Sequence, residues 1–370
     1  MSWALAFIGF AALIILHEFG HFAAAKATGM RVERFSLFFP PLIAKVRRGE
    51  TEYAIGAVPL GGYVKISGMS PHEELPPEVA SRAYLNQPPW KRIVVIAAGP
   101  AMNVLIAFLL GWGIIAFHGI EAPDIKVDQV AKGSPAAATL QPGDKVLSVD
   151  GVPGYQPGLS DAEVERRQLR LRDAISAHKC AGAQTPRCSA TTPATVVVDR
   201  DGKRVTLHIK PAYDPEAKRM LLGITYGTRY EDVGPGEAFT LTATNLWRLT
   251  RLTTESIVRI FYDPQARKDV SGVVGSYEYA RKSFEFDTIR ALSILAVISL
   301  SLAVVNLFPF LPLDGGHIFW AVAEKVRGRP IPYRLIERAS VVGFMLVAFL
   351  FVVGLTNDIG RLSGEGFNVR

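Results

Sequence analysis

The sequence predicts a membrane α-helical protein. It reads as a four-helix transmembrane bundle, with a membrane-associated β-hairpin or small sheet and an inserted extracytoplasmic α+β domain. Three observations predict this. The chain has 370 residues, 49% of them hydrophobic, and its apolar residues gather in four long stretches. Short alternating runs punctuated by glycine separate the first two stretches. A long polar segment with its own strand and turn signals separates the second from the third.

The apolar stretches cover residues 2–25, 93–117, about 289–310 and about 339–355. A bilayer core of roughly 30 Å takes about 20 helical residues, so the first three fit easily and the fourth fits as a short span. Each must be helical, because lipid offers no partner for open backbone groups. The first stretch carries no basic side chain near its start and holds residues worth keeping, which argues against a cleaved signal peptide.

Charge sets the orientation. The formal net charge is +7. Lys26, Arg31, Arg34, Lys45, Arg47 and Arg48, with further basic residues to Arg92, lie between the first two spans. Lys325, Arg327, Arg329, Arg334 and Arg338 lie between the last two. Both loops are expected in the cytoplasm, with the chain ends and the long middle segment outside. The basic residues form no stripe interleaved with aromatics, so nucleic acid is not an expected partner and the lipid bilayer is.

The organising motif lies in the first span: Leu16-His17-Glu18-Phe19-Gly20-His21. On a helix, two histidines four residues apart project from one face. Neutral imidazole suits zinc, and the adjacent Glu18 suits a general base. Ionisable groups at membrane depth are expensive and mark function. A soluble helix with surface histidines is the plain alternative.

A zinc site with two histidines needs a third protein ligand and an open position. The end of the third span offers Asn306-Leu307-Phe308-Pro309-Phe310-Leu311-Pro312-Leu313-Asp314-Gly315-Gly316-His317. Its prolines and glycines break the helix, so Asp314 can turn inward. Under the assigned orientation, His17, His21 and Asp314 lie at similar depth. His317 is a rival ligand. Asn306 serves either as an amide donor to substrate or oxyanion, or as an interhelical hydrogen bond.

The remaining segments follow in order. Residues 35–66 read as a small sheet or hairpin turning at Arg48-Gly49-Glu50, with an apolar tip at Phe38-Phe39-Pro40-Pro41-Leu42-Ile43. It either packs plainly on the bundle or offers an edge to an extended peptide. Residues 70–89 are proline-rich and acidic, a connection. In the middle segment, 127–130, 145–149, 194–198 and 204–209 read as strands. The order of strands and turns around "GSPAAATLQPGDKVLSVDG" resembles a PDZ domain, spanning 121–212 with an insertion at 153–193. The insertion carries a charged helix and Cys180 and Cys188, either paired or reduced. Residues 237–261 read as an amphipathic helix on the membrane surface, or one packed on the PDZ-like domain. The expected division is therefore 1–120, 121–212, 213–288 and 289–370.

"LHEFGH", "PLGGYVKISGM", the PDZ-like segment and "NLFPFLPLDGGH" occur in the order found in the site-2 protease family. The resemblance covers nearly the whole chain and is nearest to the bacterial regulated intramembrane metalloproteases related to the sigma-E regulator protease. It implies a zinc endopeptidase that cuts transmembrane segments of single-pass membrane proteins, such as anti-sigma factors or signal-peptide remnants, from the inner membrane. It implies His17, His21 and Asp314 as zinc ligands, Glu18 as base, Asn306 at the substrate, and 35–66 as the region gripping it. Many members have proline one place earlier in the second motif; here Phe310 and Leu311 precede Pro312, while the spacing from Asn306 to Asp314 is kept. One PDZ-like segment is visible, where the best-known enterobacterial member has two. Two other classes compete: a non-catalytic PDZ adaptor with a structural metal, and a transporter, for which no inverted repeat is seen.

Overall fold

The computed structural model describes residues 1–70, 73–186 and 188–364. The chain forms two compact units, Met1–Ala116 with Gly234–Arg370, and Phe117–Val233.

The first unit opens with helix α1 (Ser2–Ala27), which is apolar almost throughout. It is followed by strands β1 (Val32–Arg48) and β2 (Thr51–Ile66), antiparallel and joined at Gly49-Glu50. Both strands bend, at Phe38 to Pro41 and near Gly61, so that Phe35 faces Val64 on one side and Tyr53 on the other. Gly56 allows the bend, since a Cβ there would stand 2.1 Å from the Phe39 carbonyl oxygen. The sheet rests on α1 through Phe22, whose ring meets Phe35 at 5.4 Å and Tyr53 at 5.9 Å. Short helix α2 (Pro77–Ala80) leads to α3 (Pro89–His118), which continues past Pro100. Ala25, Met30, Val32, Ile66, Tyr84, Val95 and Ile96 form one buried cluster that ties the end of α1 to the sheet base and the start of α3.

The second unit is a sheet of order β10-β3-β4-β6-β7 with β5 paired to β4. Its strands are β3 (Ile120–Val130), β4 (Lys145–Val149), β5 (Val152–Pro153), β6 (Ala194–Arg200), β7 (Lys203–Ile209) and β10 (Ile224–Glu231). A small separate hairpin pairs β8 (Ala212–Asp214) with β9 (Arg219–Leu221). Helix α4 (Asp161–Ser176) lays Val164, Leu171 and Ile175 into the same core as Val146, Val196 and Val198. Two expectations change here. The boundary at 212 falls inside this unit, because β10 supplies the strand beside β3. Residues 153–193 are not a mere insertion, because α4 fills one side of the core. Cys180 and Cys188 are disulfide-bonded. Asp144, 1% exposed, receives two 2.7 Å hydrogen bonds from Arg200.

The first unit then resumes with α5 (Pro235–Arg259), α6 (Pro264–Asp269) and α7 (Val273–Phe286). α5 is amphipathic: Phe239 meets Phe108 of α3 at 4.9 Å, while Trp247, Leu252 and Val258 are exposed. α8 (Thr288–Asn306), α9 (Asp314–Arg327) and α10 (Tyr333–Ser363) complete the unit. The buried carboxylate of Asp358 in α10 accepts hydrogen bonds from the amides of Gly272 and Gly275, satisfying the otherwise open start of α7. Among the described residues, four helices are long and apolar enough to cross a membrane: α1, α3, α8 and α10. The third span ends at Asn306 rather than 310, because Pro309 and Pro312 cannot continue a helix. The fourth is longer than its apolar stretch, since nothing breaks the helix once it starts after Pro332.

Candidate metal centre

His17 and His21 are one helical turn apart on α1 and both are buried, at 7% and 8% exposure. Their rings meet edge to face at 4.9 Å, with the two Nε2 atoms 3.3 Å apart. Small residues let the second helix come close enough to enclose them. A Cβ on Gly20 would stand 2.3 Å from the Ala98 carbonyl oxygen, and a Cβ on Gly99 would stand 2.2 Å from His21 Nε2. Close backbone approach at glycine is how apolar helices pack without a hydrophobic drive between them. His21 Nδ1 lies 2.9 Å from the Val95 carbonyl oxygen. A carbonyl only accepts, so Nδ1 carries the proton and Nε2 keeps its lone pair free for a ligand bond.

Asp314 arrives from the break after α8. It is the first residue of α9. The loop before it turns back tightly: a Cβ on Gly315 would stand 2.2 Å from the Leu307 carbonyl oxygen, and one on Gly316 2.5 Å from the Leu311 nitrogen. Its Oδ2 lies 3.4 Å from His17 Nε2 and 3.4 Å from His21 Nε2. That oxygen is buried and has no hydrogen-bond partner. Among the described residues, His17, His21 and Asp314 form the one group of three histidine, cysteine or acidic side chains close enough to share an ion.

This geometry tests whether zinc fits. Ligands about 2.0–2.1 Å from a tetrahedral zinc lie about 3.4 Å from one another. The three donor atoms, at 3.3, 3.4 and 3.4 Å, outline one face of such a tetrahedron. An orphaned carboxylate oxygen at the third corner lacks a partner that a cation would supply. Among the described residues no fourth histidine, cysteine, aspartate or glutamate joins the group, which suits a catalytic rather than a structural site.

Glu18 is half-buried on the same turn. Strand β2 leaves room for it at Gly62, where a Cβ would stand 2.9 Å from Glu18 Cγ and 3.0 Å from the Ser36 carbonyl oxygen. Asn306 ends α8 and is half-buried. His317 sits one turn into α9, outside the group of three. Sequence reasoning did not identify Asn103, fully buried in α3, whose amide lies 3.1 Å from His17 Nδ1. Its only signal was a polar residue interrupting the second apolar stretch.

Two histidines and a carboxylate gathered among membrane-length helices, with an acid beside them, describe a metallohydrolase of the membrane. The comparisons agree with that class. The chain belongs to Peptidase family M50, whose profile matches residues 5–350. It is 31% identical to a protein of Rhizobium meliloti provisionally named a zinc metalloprotease, over 95% of this chain and 94% of that one. It is 30% identical to a Nostoc protein named in the same way, over 99% and 98%. It is 27% identical to the regulator of sigma-E protease RseP of Salmonella typhimurium, over 97% and 99%. This chain is accordingly a zinc metallopeptidase.

Proposed function

We propose that this enzyme is an intramembrane endopeptidase of the inner membrane that cuts transmembrane segments of single-pass membrane proteins. Anti-sigma factors and signal-peptide remnants are the expected substrate types. The observation that carries the reading is the triangle of donor atoms from His17, His21 and Asp314, with Glu18 adjacent. In this reading those three side chains hold the zinc. When bound, zinc supplies Lewis-acid polarisation of water and of a peptide carbonyl.

The residues around it perform the rest. Glu18 takes the proton of the attacking water and returns it to the leaving amine. The Asn306 amide N–H holds the substrate carbonyl as charge develops on it. A helical substrate hides its carbonyls in its own hydrogen bonds and must first unwind. The sheet of β1 and β2 then offers the freed backbone an extended partner, and its strands run beside Glu18 at Gly62. The loops holding β1–β2 and α9 are cytoplasmic in this reading, so cleavage falls toward that side. The second unit is a PDZ domain outside the cytoplasm, docking or filtering substrates by the size of their outer portion; this role rests on family analogy. α5 lies on the membrane surface with its exposed aromatic face in lipid.

Glu18→Gln tests the chemistry. The variant is expected to lose all cleavage of a single-span substrate while keeping one zinc per chain. Unchanged cleavage would overturn the proposed mechanism. A non-catalytic adaptor is not favoured, because a structural metal site uses neither an open corner nor an adjacent acid.

A further inference from the structure

The part of α3 that faces α1 carries one amide, Asn103, at 0% exposure. Placing an amide in an apolar interior without compensation costs about 2–7 kcal/mol. Its partners are therefore informative. The side-chain amide meets His17 Nδ1 at 3.1 Å. The Asn103 backbone oxygen accepts a 2.9 Å hydrogen bond from Ser299 of α8, which is itself fully buried. Asn103 thus joins the helix bearing the histidines to the helix that leads to Asp314.

The two ends of the amide are interchangeable in heavy-atom geometry. With Nδ2 facing His17, Nδ1 must accept, and the ring proton sits on Nε2, aimed at the donor triangle. That tautomer cannot bind a cation through Nε2. With Oδ1 facing His17, Nδ1–H donates and the Nε2 lone pair is free. His21 is already held in this second state, because the Val95 carbonyl can only accept. As placed, with Nδ2 toward the ring, Oδ1 is left without a partner. Hydrogen bonding elsewhere therefore does not demand that orientation, and the ring chemistry chooses.

We infer that Asn103 is a positioning residue for His17: its Oδ1 accepts the Nδ1–H and fixes the ring's tautomer and direction, while Ser299 steadies Asn103 through the backbone. Val95 does the same for His21. The two histidines are therefore oriented by different groups of the same helix, four residues to either side of Gly99. This rests on the reading that His17, His21 and Asp314 hold zinc.

The test uses the full chain in detergent and measures zinc affinity by competition with a chromophoric chelator. The cobalt-substituted absorption spectrum reports ligand geometry. His17→Ala checks the underlying reading and should remove tight zinc binding. Asn103→Leu keeps the volume and removes the acceptor; zinc affinity should fall about 10–100-fold with an altered cobalt spectrum. Asn103→Asp offers only acceptors and should bind zinc at least as tightly as the wild type. If His17→Ala binds zinc like the wild type, the ligand assignment fails and takes this inference with it. If His17→Ala loses zinc but Asn103→Leu matches the wild type, the inference alone is overturned. If Asn103→Leu does not fold, Asn103→Asp decides, because weaker binding there means the amide was needed as a donor.

Discussion

Gly99 carries unusual weight for a residue without a side chain. In most helix interiors, replacing glycine by alanine gains up to about 1 kcal/mol of helix propensity. Here the added methyl would stand 2.2 Å from His21 Nε2. The sign should reverse: Gly99→Ala displaces the ring from the donor triangle, and zinc affinity is expected to fall at least tenfold in chelator competition. Unchanged affinity would mean that α1 and α3 can separate freely. At this scale the sequence made part of the centre legible. His17, Glu18 and His21 are visible together because four residues make one helical turn, and Asp314 because prolines and glycines announce a bend. Asn103 was not legible as a partner, since it meets a side chain 86 positions away and nothing local marks that pairing.

The β1–β2 sheet is anchored at its turn by a single acid. Glu50 accepts hydrogen bonds from Arg82 at 2.7 and 2.8 Å and from Lys26 at 2.8 Å. Arg82 first and Lys26 second hold its pKa down, at about 2 against an ordinary 4.5. A carboxylate with a lowered folded pKa contributes stability above its unfolded value and loses it as pH falls through the folded one. The anchor should therefore be intact above about pH 4.5 and released progressively toward pH 2. Hydrogen exchange of β1 and β2 amides checks this: protection should fall over that window in the wild type and be low at every pH in Glu50→Ala. A pH-independent profile in the wild type would show that the ion pairs do not hold the turn. Alternation and a glycine turn exposed the hairpin in the sequence, but not its folding back on itself, which depends on bends at Phe38 to Pro41 and Gly56. The same limit hid β10, because a strand's partner about a hundred residues away leaves no local trace.

For the whole chain, the distribution of lysine and arginine makes a topological claim. With both basic loops in the cytoplasm, as proposed, Arg48 and Lys203 would lie on opposite sides of the bilayer. Arg48→Cys should react with a membrane-impermeant maleimide only after cells are permeabilised, whereas Lys203→Cys should react in spheroplasts without it. The reverse pattern would invert the proposed orientation and place the cleavage site toward the outside. The four spans were legible at this scale because hydropathy over twenty residues is strong enough to outweigh local detail. Where each helix stops was not, since α8 ends at proline while α10 runs well beyond its apolar stretch.

The disulfide between Cys180 and Cys188 has a consequence for the other unit. The chain has two cysteines, and they are bonded to each other. The helical unit is therefore free of thiols. Soft ions such as mercury or cadmium find no thiolate there to displace or compete for a nitrogen-and-oxygen donor set, and peroxide finds no sulfenate to form beside it. Thiol-directed reagents would then find a target only in the second unit, and only once its disulfide had been reduced.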